Sequence, residues 1–294
     1  MSIAFNSPLL GQQDLPRASC ELPKRMVVDG GRLEFNRAYQ QVLERLGLTS
    51  FADFEALSGS IVRQIDSRAT SRVELGRLVV YLKRHGRPHW RERIIPWIRL
   101  GKRSLGAEPE WNAIWAFQQL GIPTVEPVAF GRRGGATFVM TRELPAQCDL
   151  KQWVRECQDR REPAGAWQRA DFRQAIAFAH RLAKIVATLH QGGLHHQDLY
   201  LNHVLWLGDV ADGQPDLRLI DLGRVSRMGL FRRRWIAKDL AQLAYSAAGV
   251  PRSIQLRFLR AYLGRRLNRT DRHWLARIVW KAGRIDRHTR KHQL

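Results

Sequence analysis

Hydrophobic positions in the first half of the chain recur with the period of β-strands. Between residues 61 and 83 apolar side chains alternate with polar ones, and Gly76 interrupts the alternation. This pattern predicts two strands joined by a hairpin turn. Val125–Phe130 and Thr137–Thr141 predict two more strands, and Glu110–Leu120 predicts an amphipathic helix. We therefore expect a small antiparallel sheet accompanied by one helix.

The second half is predicted to be mainly helical. From Phe172 to His190 the apolar residues follow helical spacing, and the glycines at 192 and 193 are typical of a helix end. Two short apolar stretches around a hairpin precede Asp221, and a further helix is predicted over Lys238–Tyr245. The fold class that results is α+β, with the sheet first and the helices after it.

The N-terminal residues fit neither half. Residues 1–30 contain three prolines and end at the Gly30-Gly31 pair, and we expect them to be irregular. Arg32–Leu57 predicts short helices, of which the last begins after Ser50, a residue able to cap it. We interpret residues 1–58 as an N-terminal extension.

Charge is the most unusual property of the composition. The chain has 294 residues, of which 44% are hydrophobic, and a net charge of +22. Such an excess indicates an anionic partner: a phosphorylated glycan, acidic lipid headgroups or nucleic acid. Three cysteines without a Cys-x-x-Cys pair argue against a disulfide framework or a zinc site. The start does not resemble a signal peptide and no apolar run is long enough to span a bilayer, so we expect a cytoplasmic protein.

Two aspartates carry the candidate chemistry. Asp198 follows His196 and Gln197 directly after a predicted helix, and Asp221 ends the next hairpin in Ile220-Asp221-Leu222. Either aspartate alone could be an N-cap or a turn residue. Their order and spacing are instead typical of the catalytic loop and metal-binding segment of kinase-like phosphotransferases.

A lysine fits the same pattern. Lys83 ends the predicted strand Val79–Lys83, where kinases place a phosphate-contacting lysine paired with a glutamate of the next helix. Glu110 is the natural partner, and Glu108 competes for that role. Without the two aspartates, Lys83 would be interpreted as an ordinary basic residue at a strand end.

The segment His196-Gln197-Asp198-Leu199-Tyr200-Leu201-Asn202-His203 resembles the His-x-Asp-x-Tyr-x-x-His signature of the bacterial lipopolysaccharide kinase (Kdo/WaaP-like) family. The segments around Lys83, Glu110, Asp221 and Lys238-Asp239 agree with it, so the resemblance covers roughly residues 30–265. It implies a two-lobed protein-kinase-like fold, with a nucleotide-binding N-lobe at 59–144 and a mainly helical C-lobe at 145–294 that includes basic C-terminal helices.

The resemblance also implies roles for individual residues. Asp198 would orient the acceptor hydroxyl and Asp221 would hold Mg²⁺, with His203 as a second metal ligand and Asn202 as its alternative. Lys83, fixed by Glu110, would contact the phosphates of ATP. The nucleotide-binding positions are completed by the hinge and by the turn that replaces a glycine-rich loop at 67–72: Glu143, Leu144, Arg68 and Arg72.

The acceptor implied is a sugar of the lipopolysaccharide inner core, with heptose the usual one. Basic residues at 86–106, 232–234 and in the C-terminal tail could contact the anionic cytoplasmic face of the inner membrane. No nucleic acid is expected as a partner, and the oligomeric state stays open. Two alternatives are a related small-molecule or protein kinase and a non-catalytic pseudokinase that binds nucleotide or lipopolysaccharide. The missing glycine-rich loop and His203 motivate the second.

Overall fold

The chain divides into two compact units in the computed structural model. The structure describes residues 24–65, 67–86, 106–161, 165–210 and 212–292. The first unit comprises Met1–Gln119 with Val125–Glu143, and the second comprises Leu120–Thr124 with Leu144–Leu294. Most of the predicted basic linker at 86–106 lies outside the described residues.

Within the described part of the first unit, seven strands form one antiparallel sheet. The strands are β1 Arg25–Val28, β2 Leu33–Asn36, β3 Ser60–Ile65, β4 Arg68–Leu75, β5 Leu78–His85, β6 Pro127–Arg133 and β7 Ala136–Arg142. Their order across the sheet is β1-β2-β6-β7-β5-β4-β3. The alternation in β4 and β5 places Val73, Val80 and Leu82 in the core. Gly76 has a φ of 64° at the turn between them, a conformation that glycine adopts readily.

A single long helix accompanies this sheet in the described residues, α3 Glu108–Gln119. Two shorter helices, α1 Gln40–Arg45 and α2 Phe51–Ala56, precede it. Trp111 of α3 stacks on Phe130 of β6 with ring centroids 5.9 Å apart, and its Nε1 donates to Glu34 of β2 at 2.6 Å. These contacts fix the rotation of α3, so that the side chain of Glu110 is buried.

The interpretation of residues 1–58 as an extension is wrong for the part that the structure describes. Strands β1 and β2 belong to the main sheet, and β2 pairs with β6. Phe54 of α2 lies 6.0 Å from Phe35 and 4.9 Å from Phe138, measured between ring centroids. Ser50 is the N-cap of α2, as predicted. Pairing of β2 with a strand about a hundred residues away leaves no local signature, so the sequence pattern missed it.

The predicted phosphate-binding turn at 67–72 also needs correction. Strand β4 begins at Arg68 and pairs with β5 along its whole length. Of the predicted turn, only Ser67 therefore lies outside this strand. Apolar alternation begins only at Val73, so the polar start of the strand resembled a loop.

The second unit is mainly helical. Its helices are α4 Leu150–Asp159, α5 Arg169–Gln191, α6 Arg232–Ser246, α7 Arg252–Leu263 and α8 Asp271–His292. Strands β8 Cys148–Asp149, β10 Val204–Asp209 and β11 Pro215–Leu219 form one small sheet, and β9 Leu194–His195 pairs with β12 Ser226–Arg227. Helix α5 buries the apolar face that its spacing predicts, which includes Leu182, Val186 and Leu189.

No helix in the described ranges combines the length and the apolar character needed to cross a membrane.

Replacing Phe54 by alanine tests the corrected boundary of the first unit. The side chain is fully buried, so Phe54→Ala should lower the free energy of unfolding by about 3–5 kcal/mol in thermal or chemical unfolding. Ile61→Ala, at a β3 position that is 64% exposed, should change it by less than about 0.5 kcal/mol. Equal stability of the two variants would show that residues 24–58 do not belong to the core.

Candidate active site

The lysine and the glutamate of the first unit form an ion pair. Nζ of Lys83 on β5 lies 2.6 Å from Oε1 of Glu110 on α3. Glu108, the competing partner, instead approaches Arg132 at 3.7 Å on the surface. Charge-assisted hydrogen bonds of this length are among the stronger polar interactions in proteins. The pair holds the lysine ammonium at a defined place at the end of β5.

Arg72 does not lie in a turn but is bound to carboxylates. Its Nε and Nη2 atoms donate to the two oxygens of Glu143, at 2.7 and 2.9 Å, and a further nitrogen contacts Glu74. The hydrogen bonds from Arg72 hold the pKa of Glu143 below its usual value. The predicted phosphate contact by Arg72 is therefore not supported by this geometry. Arg68, at the start of β4 next to the turn, is exposed.

Glu143 is the last residue of the first unit, and Leu144 belongs to the second. The backbone N–H of Glu143 donates to the carbonyl of Val79 at 2.9 Å. The carbonyl of Leu144 accepts from the N–H of Ala146 at 2.8 Å. These two backbone groups already have partners within the chain.

Asp198 in the second unit is paired with an arginine. Nη1 of Arg224 lies 2.9 and 3.0 Å from the two carboxylate oxygens of Asp198. Gln197 supports the arginine by donating to its carbonyl at 2.8 Å and to Ser226 Oγ at 3.0 Å. The segment that follows Asp221 thus fixes the carboxylate of Asp198.

The backbone around Asp198 is held by one face of helix α6. We call residues 196–203 the aspartate loop. Asp239 accepts from the N–H groups of His196 and Gln197 at 2.7 and 2.9 Å. Gln242 accepts from Leu199 N–H and donates to the Gln197 carbonyl, and Ser246 accepts from Leu201 N–H. The three anchoring residues are spaced by three and four positions, so they lie on one side of the helix.

The carboxylate of Asp239 is fully buried. Burial raises the pKa of Asp239, but the hydrogen bond and charge of His190 and the N–H groups of the aspartate loop outweigh it and hold the pKa below its usual value. Nε2 of His190 lies 3.3 Å from Asp239, and its Nδ1 lies 2.8 Å from the Tyr262 hydroxyl. A carboxylate accepts only, so Nε2 of His190 carries a proton.

His203 connects the aspartate loop to Asp221. Its Nδ1 lies 2.7 Å from the backbone carbonyl of Asp198 and must be the donor there, because a carbonyl only accepts. Its Nε2 lies 3.7 Å from Oδ2 of Asp221. Asp221 itself has a φ of 58°, an uncommon left-handed conformation that occurs often at functional sites. Asn202 lies half-buried on the same short turn as His203.

The structure places Asp198, Asp221, His203 and Asn202 in the second unit, and Lys83, Glu110, Arg68 and Arg72 in the first. In the residues it describes, no group of three or more His, Cys, Asp or Glu side chains is arranged to hold a metal ion. His196 is buried, and burial lowers the pKa of its ring, which favours a neutral packing residue over a general base.

Comparison with known proteins identifies the family of this chain. The model of the lipopolysaccharide kinase (Kdo/WaaP) family matches residues 52–262. The chain belongs to this family. It is 31% identical over 82% of its length to the lipopolysaccharide core heptose(I) kinase WaaP of Pseudomonas aeruginosa, of which it covers 90%. It is 29% identical over 83% of its length to the protein of the same name from Escherichia coli K12, of which it covers 94%.

A solved structure gives the same result for the fold. WaaP in complex with acyl carrier protein aligns with a TM-score of 0.67 and 29% identity, over 87% of this chain and 98% of that one. The predicted family, the α+β protein-kinase-like fold and the enzyme class, a phosphotransferase acting on an alcohol group, are thereby confirmed.

Sequence reasoning missed the residues that position the aspartate loop of this family member. Asp239 and Arg224 appeared only as part of matching segments, and Gln242 and Ser246 were not singled out. Polar residues at 239, 242 and 246 among the apolar residues of the second half of the helix are a signal that could have found them. A buried polar group in a helix needs a partner, and the nearby catalytic motif offers unpaired backbone N–H groups.

Asp239→Asn tests whether the contacts of Asp239 with the aspartate loop affect catalysis as well as stability. An amide has one acceptor oxygen in place of two, so a buried N–H of the aspartate loop loses its partner, which costs about 1–3 kcal/mol. We expect kcat of the folded variant to fall at least tenfold, measured below its unfolding temperature.

Asp271→Asn is the matched control, since Asp271 is another buried aspartate of the second unit. Its carboxylate is bound by Arg265 at 2.8 Å and not by the aspartate loop. It should lose stability and retain kcat. An unchanged kcat in Asp239→Asn would contradict the anchoring role.

Proposed function

We propose that this protein transfers the terminal phosphate of ATP to a sugar hydroxyl, that of a heptose, in the lipopolysaccharide inner core. The observation that carries the proposal is the aspartate loop, whose backbone is fixed by α6 and whose Asp198 is held by Arg224. Phosphoryl transfer depends mainly on positioning and charge stabilisation, and a rigid loop supplies the first of these. The sugar is inferred from the relatives, which are described as core heptose(I) kinases.

In this proposal Asp198 receives the acceptor hydroxyl. A hydroxyl approaching Asp198 donates to its carboxylate and is thereby oriented toward the phosphate. Arg224 holds both carboxylate oxygens at about equal distance, so it fixes the plane of the carboxylate. Arg224 is half exposed and can also contact an incoming phosphate-bearing ligand.

The phosphates are proposed to contact Lys83. Glu110 prevents the lysine from adopting other rotamers, and the same carboxylate balances its charge before nucleotide binds. Arg68, exposed beside the β3–β4 turn, is the remaining arginine candidate for the phosphates, since Arg72 is bound to Glu143. Formation of the Lys83–Glu110 pair favours an active kinase over the pseudokinase alternative.

The residues of the second unit fit one magnesium ion. Asp221 supplies the carboxylate oxygen that Mg²⁺ prefers, and this ion usually completes its shell with substrate phosphates and water. His203 fits less well, because imidazole nitrogen is a softer ligand. Because Nδ1 donates to the Asp198 carbonyl, the neutral ring of His203 has no proton on Nε2 to donate to Asp221. We propose that His203 fixes the backbone of Asp198 through Nδ1, and Asn202 stays the alternative oxygen ligand. Bound Mg²⁺ would neutralise negative charge on the phosphates.

Replacing Asp198 tests the catalytic assignment. In Asp198→Ala the rate of phosphate transfer should fall at least about a hundredfold, because the group that orients the hydroxyl is lost, while ATP affinity stays within about twofold. Transfer is measured with ATP, Mg²⁺ and dephosphorylated lipopolysaccharide, with the phosphate located by mass spectrometry.

The control is Asp216→Asn, which disrupts another Asp–Arg pair of the same unit, that with Arg218 at 2.7 and 2.9 Å. It should retain activity. Transfer by Asp198→Ala at the wild-type rate would refute the assignment.

We further propose that the start of α6 contacts the anionic membrane that carries the acceptor. Leu230 is 100% exposed and Phe231 is 70% exposed, and three arginines follow them directly. Adjacent apolar tips beside cations suit the interface of an anionic bilayer, where the apolar groups insert and the cations meet headgroups. Arg232 also donates to the His190 carbonyl at 2.6 Å, which holds this end of α6 in place.

Acidic substitutions test the membrane contact. Leu230→Asp combined with Phe231→Asp should reduce sedimentation with anionic vesicles at least tenfold, because burial of each side chain is worth about 1.5–3 kcal/mol. The matched control is Ile61→Asp with Val62→Asp, two exposed apolar residues of β3. Equal losses in both variants, or none in the first, would exclude a specific contact at α6.

A further inference from the structure

Helices α6 and α8 of the second unit bring together basic side chains whose role the reaction does not explain. Arg234 and Lys238 lie one turn apart on α6, and Arg277, Lys281 and Arg284 follow one face of α8. We call these five residues the α6–α8 basic cluster. Arg234 and Lys238 lie 5.7 and 5.9 Å from the centre of the Trp235 ring, which positions both cations.

The cluster adjoins the aspartate loop. Lys238 directly precedes Asp239, which accepts from two N–H groups of that loop, and helix α6 packs against α8. Lys238 is also close enough to Asp198, Arg224 and Lys281 to interact electrostatically with each of them. The positive charge therefore continues from the carboxylate proposed to receive the acceptor hydroxyl to the face of α8. A ligand bound at Asp198 would meet these cations with its neighbouring groups.

The arrangement is electrostatically unfavourable in the free protein. Burial lowers the pKa of Lys281, and the positive charges of Arg277, Arg234 and Arg284 lower it further. Burial likewise lowers the pKa of Lys238, and Arg224 contributes to the same direction, against weaker opposition from Asp239 and Asp198. The half-buried Lys238 and Lys281 are repelled by the positive charges around them, and a bound anion would reduce this repulsion.

We propose that the α6–α8 basic cluster binds an anionic group, a carboxylate or a phosphate, carried by the acceptor glycan next to the hydroxyl that is phosphorylated. This inference rests on the proposed function for the identity of the acceptor. A glycan is favoured over a lipid headgroup because the cluster adjoins Asp198. The cluster is thus a specificity subsite: it selects acceptors that already carry negative charge and sets their register on the aspartate loop.

The test compares two double variants of the full chain. Arg277→Gln with Lys281→Gln removes two charges of the cluster, and Arg257→Gln with Arg260→Gln removes two exposed charges of α7. Lipid-free inner-core oligosaccharide is titrated by calorimetry without ATP, and steady-state KM and kcat are measured separately for acceptor and ATP.

The cluster variant should bind the oligosaccharide at least about tenfold more weakly and show a matching rise in acceptor KM, because hydrogen bonds to charged groups are lost. Its kcat and its KM for ATP should stay near those of the wild type, as should all parameters of the α7 variant. Oligosaccharides treated with phosphatase, or with their carboxyl groups reduced, identify the anion. The treatment that lowers wild-type affinity to the level of the cluster variant has removed the group that the cluster binds.

Several results would overturn the inference. Equal weakening of oligosaccharide binding in both double variants would do so, as would unchanged affinity in the cluster variant or no binding by the wild type. A loss of binding seen only with acceptor embedded in anionic vesicles would assign the cluster to the membrane. Binding is measured without catalysis, so the two proposals fail separately. Cluster-dependent binding without transfer would refute the kinase assignment alone, and normal transfer with insensitive binding would refute the subsite alone.

Discussion

The second unit depends on one buried carboxylate. Asp239 is fully shielded from water, and an unpaired charge in such a place would be strongly destabilising. It is compensated by two backbone N–H groups of the aspartate loop and by the ring of His190. The same contacts that make the charge tolerable fix the loop conformation. The stability of the second unit and the position of Asp198 are therefore consequences of the same interaction. The aspartate loop cannot change conformation without leaving the carboxylate of Asp239 exposed or unpaired.

Helix α6 extends this constraint in two directions. Gln242 and Ser246 continue the hydrogen bonding to the aspartate loop along the helix, so that four backbone N–H groups find acceptors on a single face. Toward its start, the helix presents Lys238 beside Asp198 and Arg224. The element that holds the proposed catalytic residue thus also carries the cations next to it. Since a helix is rigid over this length, the spacing between the two is set by helix geometry and not by flexible loops.

The first unit shows which secondary-structure elements the sequence pattern predicts and which it misses. Alternation predicted β4, β5 and the turn at Gly76, and helical spacing predicted α3, because these signals are local. The same reasoning separated residues 1–58 from the sheet, although Phe54 and Phe35 lie in its core. It also placed Arg72 in a turn, whereas the residue pairs with Tyr81 in the middle of two strands. The first error concerns strand partners that are distant along the chain, and the second concerns polar residues within a strand. Neither produces a hydrophobic period in the sequence.

The sequence by itself determined the family and the class of fold, because a motif and a hydrophobic period are formed by neighbouring residues. It singled out Asp198 and Asp221 as candidate site residues. It also named Lys83 and Glu110 as partners but left Glu108 open. Only the tertiary structure decided that choice, the pairing of Asp198 with Arg224 and the tautomer of His203. The contacts between α6 and the aspartate loop join residues 42 to 45 positions apart. Such contacts arise when buried polar groups must find partners during packing, and that requirement acts in three dimensions rather than along the chain.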